Sequence, residues 1–231
     1  MGLGSSFIGV GIYSVPEAAR LSGVSTGRIR RWLPGYTYEY RGTARASAPV
    51  WQRQLPTMDD KLALGFQDLL EVRMVDAFRK RGVTWPTLRA AAENLQKLFG
   101  VTHPFSSRRF LSDGRSVFAE ISDESGGSAL LDIVRTQYAF VQVLGPLLQG
   151  VQFDQYDQAS RWWPLGLKRR VVIDPARSFG QPIVSKEGVP TSLIAQAYRA
   201  ARQSTAAVAQ WYDLDARSVR DAVEFEQKLA A

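Results

Sequence analysis

The chain has 231 residues, 45% of them apolar and 22% charged, the make-up of a folded globular protein of one sizeable domain or two to three small ones. It has no cysteine, which excludes disulfides and thiolate metal sites, and no apolar run reaches the about 20 residues a membrane helix needs. The net charge of +7 is unevenly placed, with seven arginines against Glu17 and Glu39 in residues 1–58. A cationic field at the front of the chain attracts polyanions, and nucleic acid is the commonest of them.

Val15–Ser22 and Ser25–Leu33 read as two short helices joined at Gly23, which supplies the positive φ of a tight turn. Ala19 is expected where the two helices come closest, and Ser25 as the N-cap of the second. On that second helix Ile29, Trp32 and Leu33 share the buried face, which leaves Arg28, Arg30 and Arg31 elsewhere on its surface. Tyr36, Tyr38 and Tyr40 alternate before a turn at Gly42, with Val50-Trp51 beyond, and predict a small hairpin. Phe66, Leu70, Met74 and Ala77/Phe78 recur at helical spacing up to Arg81-Gly82. Thr84 then caps a further helix that stops at Gly100.

Residues 1–100 are therefore expected to form a winged helix-turn-helix domain. Its DNA contacts would come from Ser25, Thr26, Arg28, Arg30 and Arg31 on the second helix, and from Arg41 and Arg45 flanking the hairpin turn. An ordinary helical hairpin with a solvated basic face would carry the same residues.

Residues 101–170 predict a hairpin at Asp113-Gly114 and a helix over Ala129–Leu148, broken near Gly145-Pro146. A polar connector comes next, with Trp162-Trp163 expected to pin it to the core and Lys168-Arg169-Arg170 expected to be a solvated basic run. Residues 171–231 predict a short strand at Val171–Ile173 and helices over Thr191–Arg202, Thr205–Tyr212 and Asp215–Leu229. This is a small helical, helix-turn-helix-like domain, and the fold class as a whole is mainly α with small β hairpins. Its two apolar stripes bury little surface for a unit that stands alone. Trp211, Tyr212, Val219 and Val223 are therefore expected to pair with a second copy, and such a homodimer would read a palindromic operator. Arg217 and Arg220 are also placed for a second DNA contact, or for plain surface charge.

Enzyme chemistry has little to work with. His103 is the only histidine and precedes a proline. The carboxylate pairs Asp59-Asp60, Asp123-Glu124 and Asp154/Asp157 lie in polar, turn-like stretches, and no glycine-rich phosphate loop is present. No enzymatic activity, metal or cofactor is expected, and the chain reads as cytoplasmic.

"YSVPEAARLSGVSTGRIRRW" and "LGFQDLLEVRMVDAFRKRGVTWPTLRAAA" resemble the helix pairs of MerR-type winged helices over about residues 12–99. Beyond residue 99 the chain departs from that family, because a hairpin comes next where a long dimerising helix would stand. The C-terminal region resembles the small helical domain of VapB-like antitoxins. It does so at Ile173-Asp174-Pro175, Gly180–Val184, Val189-Pro190, and Val208–Leu214 leading into Val219–Phe225. Its "SKEGVP" lacks the arginine that such domains carry there. "HPFSSRRF", "DGRSVFAEI", "RWWPLG" and "DPARSFGQPIV" are similar to one VapB-like group with both parts. The resemblance implies an antitoxin that neutralises a PIN-type ribonuclease toxin by protein binding and represses its own operon through DNA. The other reading left open is a MerR-like transcription factor responding to a small molecule, with Trp162 and Trp163 at its pocket.

Overall fold

The computed structural model describes residues 7–57, 61–110 and 147–230. The hairpin expected at Asp113-Gly114, most of the helix expected over Ala129–Leu148, and the pairs Asp59-Asp60 and Asp123-Glu124 lie outside the described residues. The architecture is mainly α with small antiparallel sheets. The described residues divide into two compact units, where three regions ending at 100, 170 and 231 were expected. One unit takes 13–57, 61–110, 147–148 and 153–159, and the other takes 7–12, 149–152 and 160–230. The middle region is shared between them, because its start packs on a helix of the first while residues 160–162 belong to the second.

The first unit opens with β1 (Tyr13–Ser14) and α1 (Val15–Ser22). Ser14 and Glu17 form a capping box, in which Glu17 N donates to Ser14 Oγ at 3.4 Å and Ser14 N donates to Glu17 Oε2 at 2.8 Å. Gly23, at φ 70°, ends the helix by donating its N–H to the Ala19 carbonyl at 2.9 Å. α2 (Thr26–Trp32) starts at the Ser25 cap, whose Oγ accepts from Arg28 N. Ile29, Trp32 and Leu33 are buried as their spacing demands. The expectation for Ala19 is corrected, since Ala18 is the small residue sealed inside and Ala19 is only half-buried. The neighbouring position on the helix faces the core, and a one-residue step turns a side chain by about 100°.

β2 (Tyr36–Tyr40) and β3 (Thr43–Ser47) pair antiparallel, Tyr36 opposite Ser47 and Tyr40 opposite Thr43. Arg41 (φ 51°) and Gly42 (φ 75°) make the two-residue turn, with both central residues in the left-handed region that a type I′ turn requires. Of the ten strand residues only Ser47 is buried, so the hairpin stands out with both faces open. Gly35 closes the joint between α2 and the hairpin at φ 76°, where a Cβ would sit 2.5 Å from the Ser47 carbonyl oxygen. Gly35→Ala is expected to cost roughly 2 kcal/mol or more through strain and that clash, read as a lower midpoint in urea unfolding.

β4 (Ala63–Leu64) pairs antiparallel with β1, setting Tyr13 against Leu64. α3 (Phe66–Lys80) is the unit's central helix, with Phe66, Leu69, Val72, Val75 and Phe78 almost wholly buried. α4 (Trp85–Phe99) starts after the Thr84 cap, buries Leu88, Ala91, Ala92 and Leu95, and ends at Gly100 with φ 66°. A 3-10 turn at Pro104–Ser106 lays Phe105 against Phe78 and Phe110, with ring centroids 5.1–6.1 Å apart.

Two buried carboxylates organise this core. Asp68 accepts Trp51 Nε1 at 2.8 Å, Gln54 N at 3.1 Å and Gly65 N at 3.0 Å, and its Oδ1 lies 3.0 Å from His103 Nε2. His103 is thus a packing residue held within the core. Glu71 accepts Ser106 N at 3.0 Å, and burial raises its pKa from 4.5 to about 8. The unfolded chain releases that proton near pH 4.5 while the folded state keeps it. The contribution of Glu71 to stability is therefore full below about pH 4.5 and is lost as pH rises to about 8. Glu71→Gln is expected to flatten this slope and to raise Tm above the wild type at pH 8.5, as measured by thermal unfolding across pH 5 to 8.5.

At residues 153–159, Asp154 Oδ1 accepts Tyr156 N and Gln158 N, and Asp157 pairs with Arg109 at 2.8 Å. Asp154 and Asp157 are turn residues.

A four-stranded sheet has the order β5 (Val151–Phe153), β6 (Ala159–Trp162), β7 (Val171–Ile173), β8 (Pro182–Val184). β6–β7 and β7–β8 are antiparallel. Trp162 is buried in it and Trp163 half-buried. The helices of the second unit are α5 (Thr191–Ala200), α6 (Thr205–Tyr212) and α7 (Ala216–Ala230), close to their expected bounds. Val184, Ile194, Val208, Leu214, Val219 and Ala222 form the core beneath them. The run Lys168-Arg169-Arg170 is not simply solvated. Arg169 Nε and Arg170 N both donate to buried Asp221 at 2.8 Å, and Arg169 Nη2 also pairs with Glu224. These bonds moor the connector to α7.

Candidate nucleic-acid interface

Helix α2 and the β2–β3 hairpin each carry arginines into solvent, and the fold fixes them in two different ways. Arg28 Nη1 lies 2.7 Å from Asp76 Oδ1, and Lys80 Nζ lies 2.7 Å from the other oxygen of the same carboxylate. Asp76 is almost buried on α3 while about half of Arg28 stays open. Arg31 is held differently, its guanidinium lying 4.0 Å over the Tyr36 ring so that α2 is tied to β2. Arg41 and Arg45 lie 5.3 and 5.2 Å over the ring of Tyr40. A guanidinium held over a ring rather than by a carboxylate keeps N–H donors for a phosphate or a guanine. Arg30, Arg31, Arg41 and Arg45 are exposed, and none of them has a carboxylate partner among the described residues.

Ser25 is occupied as the cap, and Thr26 stands exposed on the first turn of α2. A cleft of about 550 Å³ opens between α2, the start of β2 and the junction of α3 with α4. Arg28, Arg31, Arg79 and Lys80 line it together with the rings of Trp32, Tyr36 and Trp85. Arg79, Lys80 and Trp85 are missing from the sequence-derived set. The signal available for them was the run Arg79-Lys80-Arg81 at a helix end, beside a glycine turn. Arg79 Nη1 donates to the Val83 carbonyl at 2.6 Å and its guanidinium lies 5.0 Å over Trp85, which fixes that turn.

The ion pair makes Arg28 a poor isolated probe of binding. Arg28→Ala leaves the buried Asp76 carboxylate with Lys80 alone, so it is expected to lower stability by about 1 kcal/mol, solvent screening being strong for so exposed a cation. Chemical unfolding of this variant checks the point before any binding assay is interpreted.

Aligned with known proteins, the chain is 30% identical to the candidate antitoxin VapB45 of Mycobacterium tuberculosis, with 93% of each chain covered. The chain belongs to the VapB-like antitoxin family. That membership supports an antitoxin role in a toxin–antitoxin system. The crystal structure of Rv2018 from Mycobacterium tuberculosis has the same fold at a TM-score of 0.73 and 24% identity, over 94% of this antitoxin and 98% of that chain. No protein-family model matches the chain. Among the described residues, no helix is long and apolar enough to cross a membrane.

The residues expected to join two copies of the antitoxin fall into different places. Trp211 is 58% exposed on α6, whereas Tyr212 and Val223 are half-buried against the unit's own core. Val219 is corrected from partner contact to core, since it is 0% exposed among Val184, Ile194 and Val208 and has no surface left for a second chain. The heptad-like spacing of an apolar stripe is the same whether it faces its own fold or another's. Arg217 Nη2 donates to the Lys168 carbonyl at 2.9 Å, while Arg220 is exposed on α7.

Proposed function

We propose that this antitoxin represses its own operon by docking α2 in the major groove of upstream DNA, with the β2–β3 hairpin gripping the adjacent backbone. In this reading α1 and α2 are a helix-turn-helix and the hairpin is its wing. The observation that carries it is the set of exposed guanidiniums of Arg30, Arg31, Arg41 and Arg45 on two elements tied by the Arg31–Tyr36 stack. An α-helix fits the major groove, and arginine edges recognise both guanine and phosphate there. Two copies acting together, with Trp211 at the contact, would read a palindrome.

The toxin partner in this reading is a PIN-type ribonuclease, neutralised in the cytoplasm by protein binding. The antitoxin works as a binder and not as an enzyme. Expression of the adjacent reading frame, alone and with this chain, tests the toxin half. Growth arrest that this chain relieves is the expected result, and a harmless neighbour would remove it. A gel-shift assay on the chain's own upstream DNA tests the other half.

A further inference from the structure

The turn between β7 and β8 carries a bulky aromatic where the backbone favours glycine. Ser178 (φ 47°), Phe179 (φ 53°, ψ 26°) and Gly180 (φ 82°) succeed one another in the left-handed region. That region is natural for glycine and uncommon for a bulky aromatic. Among the described residues with positive φ, Phe179 is the one large apolar side chain that is not glycine. The ring is nevertheless 70% exposed. A side chain packed into the core would explain the strained backbone, and this one is not packed.

The turn is held closed by bonds on every side. Gly180 N donates to the Arg177 carbonyl at 2.9 Å, and Gln181 N to the Ser178 carbonyl at 3.0 Å. Ile12 N donates to the Phe179 carbonyl at 3.0 Å, which ties the turn to the start of the chain. Asp174 anchors its base by accepting Ala176 N at 3.0 Å on its side chain and Arg177 N at 3.0 Å on its carbonyl. Arg177 Nη1 reaches across to the Ser185 carbonyl at 2.6 Å. A backbone forced into an unfavoured conformation by this many bonds, with an aromatic ring set out in water, is built to present that ring. Single exposed apolar residues are ordinary on protein surfaces, and it is the coincidence with strain that distinguishes this one.

We infer that Phe179 is the aromatic anchor by which the antitoxin engages an apolar pocket on its toxin. This rests on the antitoxin reading, which requires a protein surface for the toxin. The chemistry favours that occupant, because a bare phenyl ring has nothing to offer a phosphate backbone and suits a protein pocket. The strictly aliphatic and aromatic side chains most exposed in this unit are Ile8, Leu167, Phe179 and Trp211, whereas the freely presented arginines of α2 and the hairpin lie in the other unit. Buried aromatics at the centre of an interface carry much of its binding energy.

The test uses the full chain and the purified product of the adjacent reading frame. Phe179→Gly removes the ring and relieves the strain in one step, since glycine adopts this φ freely. The expected result is an unchanged or raised Tm, unchanged DNA binding, and toxin affinity lower by about thirtyfold or more in calorimetry. Phe179→Leu should recover part of that affinity. Equal toxin affinity for the wild type and Phe179→Gly would overturn the inference and leave the antitoxin role intact. So would a drop in Tm, which makes the ring a packing residue, or a loss of self-association alone, which assigns it to a second copy. If the wild type does not bind the adjacent product, the antitoxin–toxin reading fails first and takes this inference with it.

Discussion

An Arg31→Ala variant is expected to bind the chain's own upstream DNA roughly ten- to a hundredfold more weakly than the wild type, with its Tm lowered by no more than a few degrees through loss of the Tyr36 contact. The magnitude is that of one lost bidentate guanine contact, about 1–3 kcal/mol. Arg31 is the suitable probe because it is exposed and its only described hold is the Tyr36 ring, 4.0 Å away. Removing it strands no buried charge. Arg45→Ala makes a useful contrast. A residue gripping phosphate weakens all sequences alike and lowers the slope of log K against log salt by about 1. A base-reading residue lowers discrimination between operator and random DNA as well. Titrations at several salt concentrations on both DNAs separate these two behaviours. If the double variant Arg31→Ala/Arg45→Ala binds operator as tightly as the wild type, the proposed interface is wrong.

Asp68→Ala should give the largest loss of stability, roughly 3–5 kcal/mol, seen as a fall in Tm of about 10 °C. One carboxylate, wholly buried, accepts Trp51 Nε1, Gln54 N and Gly65 N, and lies within hydrogen-bonding distance of His103 Nε2. These groups come from the segment after the hairpin, the start of α3, and the approach to the 3-10 turn. Truncation leaves buried donors with neither protein nor water, which costs more than the bonds themselves are worth in net terms. Asp68→Asn keeps one acceptor oxygen but turns an NH2 group toward N–H donors, so about half the loss is expected. Calorimetric unfolding of the three proteins at one pH checks the ordering. A Tm for Asp68→Ala within 2 °C of the wild type would show that the network is not what closes this core.

Much of the local structure was legible because its causes are local. Ser25 and Thr84 cap helices through their own hydroxyls, and Gly23 and Gly100 end them at positive φ. Ile29, Trp32 and Leu33 are buried by spacing alone. Asp68, Glu71 and Asp76 were invisible as organisers. A carboxylate on a helix has the same sequence signature whether it meets solvent or a distant N–H, and here the partners of Asp68 lie up to 35 residues away. The antitoxin family was legible from motifs in the C-terminal region, and the alignment with VapB45 carries it over most of the chain.

The sequence by itself determined the helices, the exposed arginine hairpin and the charge asymmetry, since these arise from short-range periodicity, capping and composition. Only the tertiary structure decided which charges are free and which apolar groups are available. It bound Arg28 and Lys80 to Asp76, bound Arg169 to Asp221, sealed Val219 in the core, and left Phe179 in water on a strained turn. The reason is physical. Desolvation and pairing depend on what arrives from far along the chain, and no window of neighbouring residues contains that information.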